Sequence, residues 1–145
     1  MNDAISRYLT EDHRRCDRLL AECEARIAAK TWQAADEATV AFNDATRRHF
    51  AMEEEALFPA LEQGAPVAAG PTGVMRMEHS QIRQLLDELL AAVRARELDA
   101  SLGNIETLHL LSQQHNAKEE GILYPLADRS LPDGTDDLMD RLRAM

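Results

Sequence analysis

The chain is poor in the residues that build several other classes of protein. Only 4% of its 145 residues are aromatic, and it has six glycines and five prolines, which disfavours a turn-rich β-sandwich. Its two cysteines, Cys16 and Cys23, are two helical turns apart, too far to pair within one helix, so we expect both to be small buried apolar residues. No apolar run approaches the ~20 residues of a membrane span, and the first residues do not resemble a secretory signal. We therefore expect a helix-rich cytoplasmic protein.

Basic residues are also scarce relative to acidic ones. The sequence contains 16 Lys and Arg against 26 Asp and Glu, which gives a formal net charge of −10. A surface of this sign repels phosphate groups, so neither a nucleic acid nor a membrane is an expected partner. The hydrophobic fraction of 45% is enough for one core, and we expect a single domain over residues 1–145.

The most informative feature that is present is an internal repeat with a constant offset of 66 residues. The segment HFAMEEEALFP, which begins at His49, matches HNAKEEGILYP, which begins at His115. The two halves of the repeat span residues 1–62 and 73–128. The related pairs are His13 with His79, His49 with His115, and Glu53 with Glu119. Because imidazoles and carboxylates are placed in register twice, the repeat predicts one metal site shared between two halves.

Hydrophobic residues alternate at spacings of four and three, the pattern of helices packed in a bundle. Four such patterns predict helices over residues 4–29, 32–61, 73–96 and 100–127, and residues 135–144 are predicted to form a short final helix. Thr31 and Asp99 are predicted N-caps, and residues 63–72, with two prolines and two glycines, are predicted to be a loop. The fold class is therefore expected to be all-α, an up-down-up-down antiparallel four-helix bundle with pseudo-two-fold symmetry.

Six residues of the repeat occupy inward positions of these helices. A histidine and a glutamate four residues apart share one face of the second helix and of the fourth, and the other two helices add one histidine each. No Lys or Arg shares these positions, so the two carboxylates would repel each other unless a metal supplied positive charge. Four imidazoles and two carboxylates exceed one tetrahedral zinc and suit two iron or manganese ions with open positions for a small ligand. The candidate ligands are His13, His49, Glu53, His79, His115 and Glu119.

The neighbours of these residues admit two interpretations each. Asp12 and Glu78 directly precede ligand histidines and are either solvated or outer carboxylates beside the metals. Asp17 and Arg83 follow ligand histidines by four residues and are either surface charges or groups that orient those histidines. Thr46 lies inward, one turn before His49, and either bonds back to its own helix or delivers a proton to a bound ligand.

The repeated Phe/Tyr-Pro dipeptides are assigned to packing and to helix termination. Phe58 and Tyr124 lie on the helix side away from the ligand histidines, which favours a role in the core or an interface over the alternative that Tyr124 is a phenol close to the metal. Pro59 and Pro125 each fall six residues beyond a motif glutamate. Because proline cannot continue the helical hydrogen bonds, both helices are predicted to bend or end there.

These motifs resemble those of the hemerythrin-like (HHE cation-binding) domains, from His13 to Pro125. The resemblance implies that the six residues ligate two iron ions in a non-haem, oxo- or hydroxo-bridged diiron centre, with Glu53 and Glu119 as bridges. Oxygen-carrying hemerythrins have a further histidine where this chain has Arg83, and H-x-x-x-x-D where this chain has H-x-x-x-E. The chain is therefore more similar to the four-His, two-Glu stress-response and iron-sulfur repair (RIC-type) branch.

The resemblance implies a protein that handles oxygen, nitric oxide or peroxide in redox sensing, stress response or iron-centre repair. The missing further histidine favours reactive chemistry over reversible oxygen binding. One alternative is a non-catalytic protein that binds oxygen or stores iron, and another is an iron- or oxygen-responsive regulatory module. No motif in the sequence identifies a reductase or a regulatory partner.

Overall fold

The structure is a computed structural model that describes residues 2–131 and 135–145. Four long helices form the bundle: α1 (Ala4–Ala28), α2 (Trp32–Met52), α4 (Ala69–Arg94) and α5 (Leu98–Lys118). Helices α1 and α4 each pack against both α2 and α5, and consecutive long helices run antiparallel. Two short helices, α3 (Phe58–Gly64) and α6 (Tyr124–Ser130), prolong α2 and α5, and α7 (Thr135–Ala144) closes one end. The predicted all-α, up-down-up-down bundle and its short final helix are confirmed.

The prolines widen the helices instead of ending them. A π-helical turn, Glu53–Leu57, joins α2 to α3, and a second one, Glu119–Leu123, joins α5 to α6. In each turn the amide after the turn reaches back five residues, from Phe58 to the Glu53 carbonyl and from Tyr124 to the Glu119 carbonyl. The extra residue accommodates the proline that follows, because no normal helical hydrogen bond is needed there. The predicted termination at the prolines is therefore wrong.

Two predicted details at helix ends also need correction. Residues 63–72 are not a loop: α3 extends to Gly64, a 3₁₀ turn covers Pro66–Ala68, and α4 already begins at Ala69. Prolines are compatible with these positions because the first turn of a helix does not need its N–H groups. The fourth long helix begins at Leu98, so Asp99 lies inside its first turn and does not cap it.

Thr31 is the N-cap residue of α2, as predicted, but its side chain makes no cap hydrogen bond, because its hydroxyl donates to the Arg26 carbonyl (3.1 Å). The two helical hairpins turn in the same way, at Lys30 and at its repeat mate Arg96, which both adopt positive φ values (57° and 55°). Helix α6 ends at Ser130, close to the predicted end of the fourth helix at residue 127, and residues 132–134 lie outside the described residues.

The buried apolar side chains form two clusters, one at each end of the bundle. One contains Leu9, Leu57 and Phe58 and is covered by Leu138 and Leu142 of α7. The other, at the hairpin end, contains Leu86 and Ile105. The six predicted ligand residues lie between the clusters, so apolar side chains flank them on both sides. None of the described helices combines the length and the apolar character needed to cross a membrane.

Candidate metal centre

The structure brings all six predicted ligand residues together, fully buried, in the middle of the bundle. Their side chains form two overlapping groups, and in each group the potential ligand atoms lie within 4.8 Å of one another. Site A contains His13 and His49, site B contains His79 and His115, and both sites include the carboxylates of Glu53 and Glu119. The shared carboxylates lie where bridging ligands of two adjacent ions would lie.

The donor atoms converge closely within each site. In site A, the Nε2 atom of His13 is 3.0 Å from Glu119 Oε1, and that of His49 is 3.5 Å from Glu53 Oε1. In site B, the Nε2 atom of His79 is 3.2 Å from Glu53 Oε1, and that of His115 is 3.2 Å from Glu119 Oε2. Each glutamate therefore reaches one imidazole of each site.

The residues present fit metal ions. Glu53 Oε1 and Glu119 Oε2 are buried and have no hydrogen-bond partner among the described residues. The Nε2 atoms of His79 and His115 face each other at a distance of 3.1 Å, and neither nitrogen needs the other as a hydrogen-bond acceptor. Buried polar atoms without partners are uncommon in native proteins. An ion in each site would satisfy these oxygen and nitrogen atoms together, and the mixed donor set is one that iron or manganese accepts.

An outer ring of carboxylates holds the four imidazoles in place. Each Nδ1–H donates to one carboxylate at 2.7–2.8 Å, and each acceptor lies on another helix. Because an ionised carboxylate only accepts hydrogen bonds, Nδ1 carries the proton and Nε2 is left facing the site. The pairs are His13 with Glu120, His49 with Asp12, His79 with Glu54, and His115 with Glu78.

Of the two interpretations of Asp12 and Glu78, the structure supports the outer carboxylate. Glu54 and Glu120, which complete the ring, were not singled out from the sequence because they are off the inward helix face. They do form a repeat pair, and that symmetry was the available signal. Arg83 binds both carboxylate oxygens of Glu54 (2.7 and 3.0 Å) and so orients His79 through it. The orienting role of Arg83 is therefore supported.

The imidazoles themselves provide the positive charge that the sequence appeared to lack. Burial opposes protonation of His79, but hydrogen bonds to Glu119 and Glu53 outweigh it and raise its pKa to about 9. Burial would raise the pKa of Glu119, yet hydrogen bonds from His115 and His13 hold it well below its ordinary value. Imidazoles with raised pKa values therefore lie beside the carboxylates and oppose the expected repulsion between Glu53 and Glu119.

Tyr124 is the functional residue that sequence reasoning misplaced. Its hydroxyl donates to Glu53 Oε2 (2.6 Å) and lies 3.0 Å from the Nε2 atom of His13 and 3.2 Å from that of His49. It also lies 3.1 Å from Glu119 Oε1. In a regular α-helix Tyr124 would face away from His115, but the π turn shifts every later residue by one position. The phenol hydroxyl therefore belongs to site A, while the ring is fully buried in the apolar core, as predicted.

The corresponding residue in the other half, Phe58, does pack as predicted. It is fully buried, and its ring lies parallel to that of His79, with centroids 5.8 Å apart. Phe50 stacks on His79 at 3.8 Å. Site B is therefore enclosed by two phenyl rings, whereas site A is in contact with a phenol.

The antiparallel bundle and its buried His/Glu cluster place the protein in the class of metal-binding helical bundles. The family described as hemerythrin HHE cation binding domain matches residues 4–127, and the chain belongs to this family. Comparisons with curated proteins and with solved structures gave no match. The protein is thus a hemerythrin-like domain whose buried His/Glu cluster is compatible with a metal site.

Proposed function

We propose that the protein is a non-haem diiron protein that handles oxygen, nitric oxide or peroxide. The observation that carries the proposal is that two groups of four donors share both glutamates. His13 and His49 would hold one iron, His79 and His115 the other, and Glu53 and Glu119 would bridge them. Bound iron would supply one-electron chemistry and an open position for a small ligand.

The chain's own residues prepare this chemistry in three ways. The outer carboxylates hold each imidazole with Nε2 inward, so that the ligand positions exist before a metal binds. The Tyr124 hydroxyl holds a proton between Glu53 and Glu119, next to site A. The apolar clusters above and below the site exclude water, which strengthens every electrostatic interaction inside.

The assignment to redox sensing, stress response or iron-centre repair, and to the four-His, two-Glu branch, belongs to the same proposal. It is supported by H-x-x-x-E in both halves and by Arg83, which occupies the position of the further histidine and is already engaged by Glu54. The alternative is a non-catalytic protein that binds oxygen or stores iron.

Anaerobic reconstitution with ferrous iron tests the proposal. We expect about two irons per chain, and visible spectra that change on adding nitric oxide, peroxide or oxygen. His109→Ala is the matched control because His109 is exposed and lies outside both donor groups. A single zinc per chain that survives Glu53→Ala would contradict the diiron assignment. A spectral change that oxygen produces and vacuum reverses would favour the oxygen-binding alternative.

A further inference from the structure

A small internal cavity adjoins site A. Its volume is about 30 Å³, and its wall includes both imidazoles of site A, His13 and His49, and one imidazole of site B, His115, together with Cys16 and Thr46. A cavity of this size accommodates one or two water-sized molecules but no larger metabolite. Any molecule that fills it is therefore diatomic or of the size of peroxide, and it lies next to the metal ligands of site A.

One polar side chain in this cavity has no partner. The Oγ1 atom of Thr46 makes no hydrogen bond among the described residues. It is nevertheless buried, and the whole residue is only 7% exposed. The Cys16 thiol lies beside it, and contact with the Thr46 hydroxyl offsets a small part of the rise in the Cys16 pKa that burial causes, but a neutral thiol is only a weak acceptor. An unpartnered buried hydroxyl is uncommon and points to a small polar molecule that completes it.

A second, larger cavity lies beside the first one and shares two lining residues with it. Its volume is about 350 Å³, and it lies between α1 and α5. Asp17 and Leu20 line both cavities, and Glu24 and His109 line only the outer one. Since Asp17 is exposed and Leu20 is buried, these two residues mark the passage from solvent to the inner cavity.

We propose that these cavities form the access route of a small uncharged ligand to site A, and that Asp17 discriminates against anions at its mouth. Two carboxylates, Asp17 and Glu24, border the route, and the whole chain carries a net charge of −10. Anions of the same size are repelled there, whereas nitric oxide, oxygen and hydrogen peroxide are not. Thr46 donates a hydrogen bond to the ligand in the inner cavity. The identity of the ligand rests on the proposed diiron function, but the route does not.

The native thiol of Cys16 reports on the route without any metal chemistry. The full-length protein, with and without metal, is treated with an anionic and an uncharged methanethiosulfonate of similar size. These reagents are too large for the inner cavity but fit the outer one, so they probe the partly exposed Cys16 from the mouth beside Asp17, and Cys16 labelling rates are measured by mass spectrometry. Changes in the ionisation of the Cys16 thiol do not affect the ratio of the two labelling rates, because both reagents react with the same thiolate. We expect the anionic reagent to react more slowly, and Asp17→Asn to raise the anionic-to-neutral ratio several-fold at low salt. Cys23, which is fully buried and donates to the Ala38 carbonyl, is the internal control.

Glu22→Gln is the matched charge control, because Glu22 is on α1, half exposed and paired with Arg26 outside both cavities. If Glu22→Gln raises the ratio as much as Asp17→Asn does, net charge and not the route sets selectivity, and the proposal is overturned. It is also overturned if Asp17→Asn leaves the ratio unchanged.

The role of Thr46 is tested with Thr46→Val, which removes the hydroxyl at nearly constant volume. Ser112, the repeat mate of Thr46, lines the same inner cavity, so Ser112→Ala is the control. Both variants should keep the wild-type iron content, and Thr46→Val alone should weaken nitric oxide binding to the ferrous protein several-fold. Equal binding by both variants would refute the Thr46 contact. If the wild-type iron protein binds none of the three ligands, the proposed function fails, while the Cys16 ratio still decides the route.

Discussion

Sites A and B have matching donors and differ in their surroundings. At site B, His79 lies between the rings of Phe50 and Phe58, which enclose it in apolar contacts. The repeat places Asn116 and Tyr124 at the corresponding positions of the other half, and the inner cavity borders both imidazoles of site A but only His115 of site B. The repeat thus accounts for the capacity to bind two ions, and its departures make the two sites unequal. We expect small-ligand chemistry at site A and a more enclosed ion at site B.

The shared carboxylates provide the largest test of this comparison. Glu119→Ala should remove a ligand from both sites and bring the iron content from about two per chain to near zero. His13→Ala removes a ligand from site A only, so about one iron should remain, in site B. Iron analysis after desalting distinguishes the two results. If His13→Ala and Glu119→Ala lose the same amount of iron, the two sites are not separate units that share a carboxylate.

A second test compares the protein with and without metal as the pH rises. The pKa of His79 is about 9 against an ordinary 6.5, so protonated His79 stabilises the metal-free fold fully below about pH 6.5. That contribution is lost between pH 6.5 and about 9, and the raised pKa values of His49 and His115 act in the same direction. The melting temperature of the metal-free protein should fall over this range, by on the order of 5–10 °C.

The metal-bound protein should behave differently, because metals require deprotonated imidazoles. Its melting temperature should exceed that of the metal-free protein, and the gap should widen with pH. Differential scanning calorimetry at several pH values between 6 and 9 measures both curves. Parallel curves for the two forms would show that these imidazoles do not carry the charge that balances Glu53 and Glu119.

The sequence was sufficient to predict the helices and the six buried donors because both depend on simple periodicity. A His and a Glu four residues apart share a helical face whatever packs around them, and the 66-residue offset supplied their partners. The sequence was insufficient for Tyr124, because its orientation depends on a π turn that regular helical geometry does not contain. Pro59 and Pro125 were the residues in the sequence that indicated these turns, because a helix that continues past a proline has to widen there.

The outer carboxylates were harder to predict for a different reason. Glu54 and Glu120 contact histidines of neighbouring helices, so their role depends on helix packing and not on the position within their own helix. Likewise, residues 63–72 are rich in proline and glycine, yet prolines in first helical turns are compatible with helix. Composition alone could not distinguish a loop from helical turns that begin with proline.

Removal of the Tyr124 hydroxyl should make the two sites more alike. Tyr124→Phe leaves Glu53 without its 2.6 Å hydrogen bond, and we expect the metal-free protein to lose ~1.5–3 kcal/mol of stability. Stepwise metal binding, measured by calorimetric titration, should show the first and second affinities moving closer together. Tyr8→Phe is the control, since Tyr8 is only partly buried and packs against the apolar cluster. An unchanged ratio of affinities would mean that the phenol does not distinguish site A from site B.

The smallest effects on metal binding are expected from substitutions of the outer carboxylates. The loss of affinity should be larger for a carboxylate that its neighbours hold more firmly. Glu54 is bound through both oxygens by Arg83 and its side chain is 21% exposed, whereas its repeat mate Glu120 is 38% exposed. Glu54→Gln should therefore weaken metal binding at site B by about tenfold, near the lower end of the usual range for such groups. Glu120→Gln should weaken binding at site A by less, because water can replace an exposed partner of His13.

Competition with a chromophoric chelator measures these affinities, and Glu55→Gln is the matched control because Glu55 is adjacent in sequence but exposed and outside the ring. Arg83→Lys should reproduce part of the Glu54→Gln effect, since lysine cannot bind both carboxylate oxygens at once. If Glu120→Gln weakens binding more than Glu54→Gln does, exposure does not control how well these carboxylates orient their histidines. Site A would then depend on its outer ring at least as strongly as the more enclosed site B.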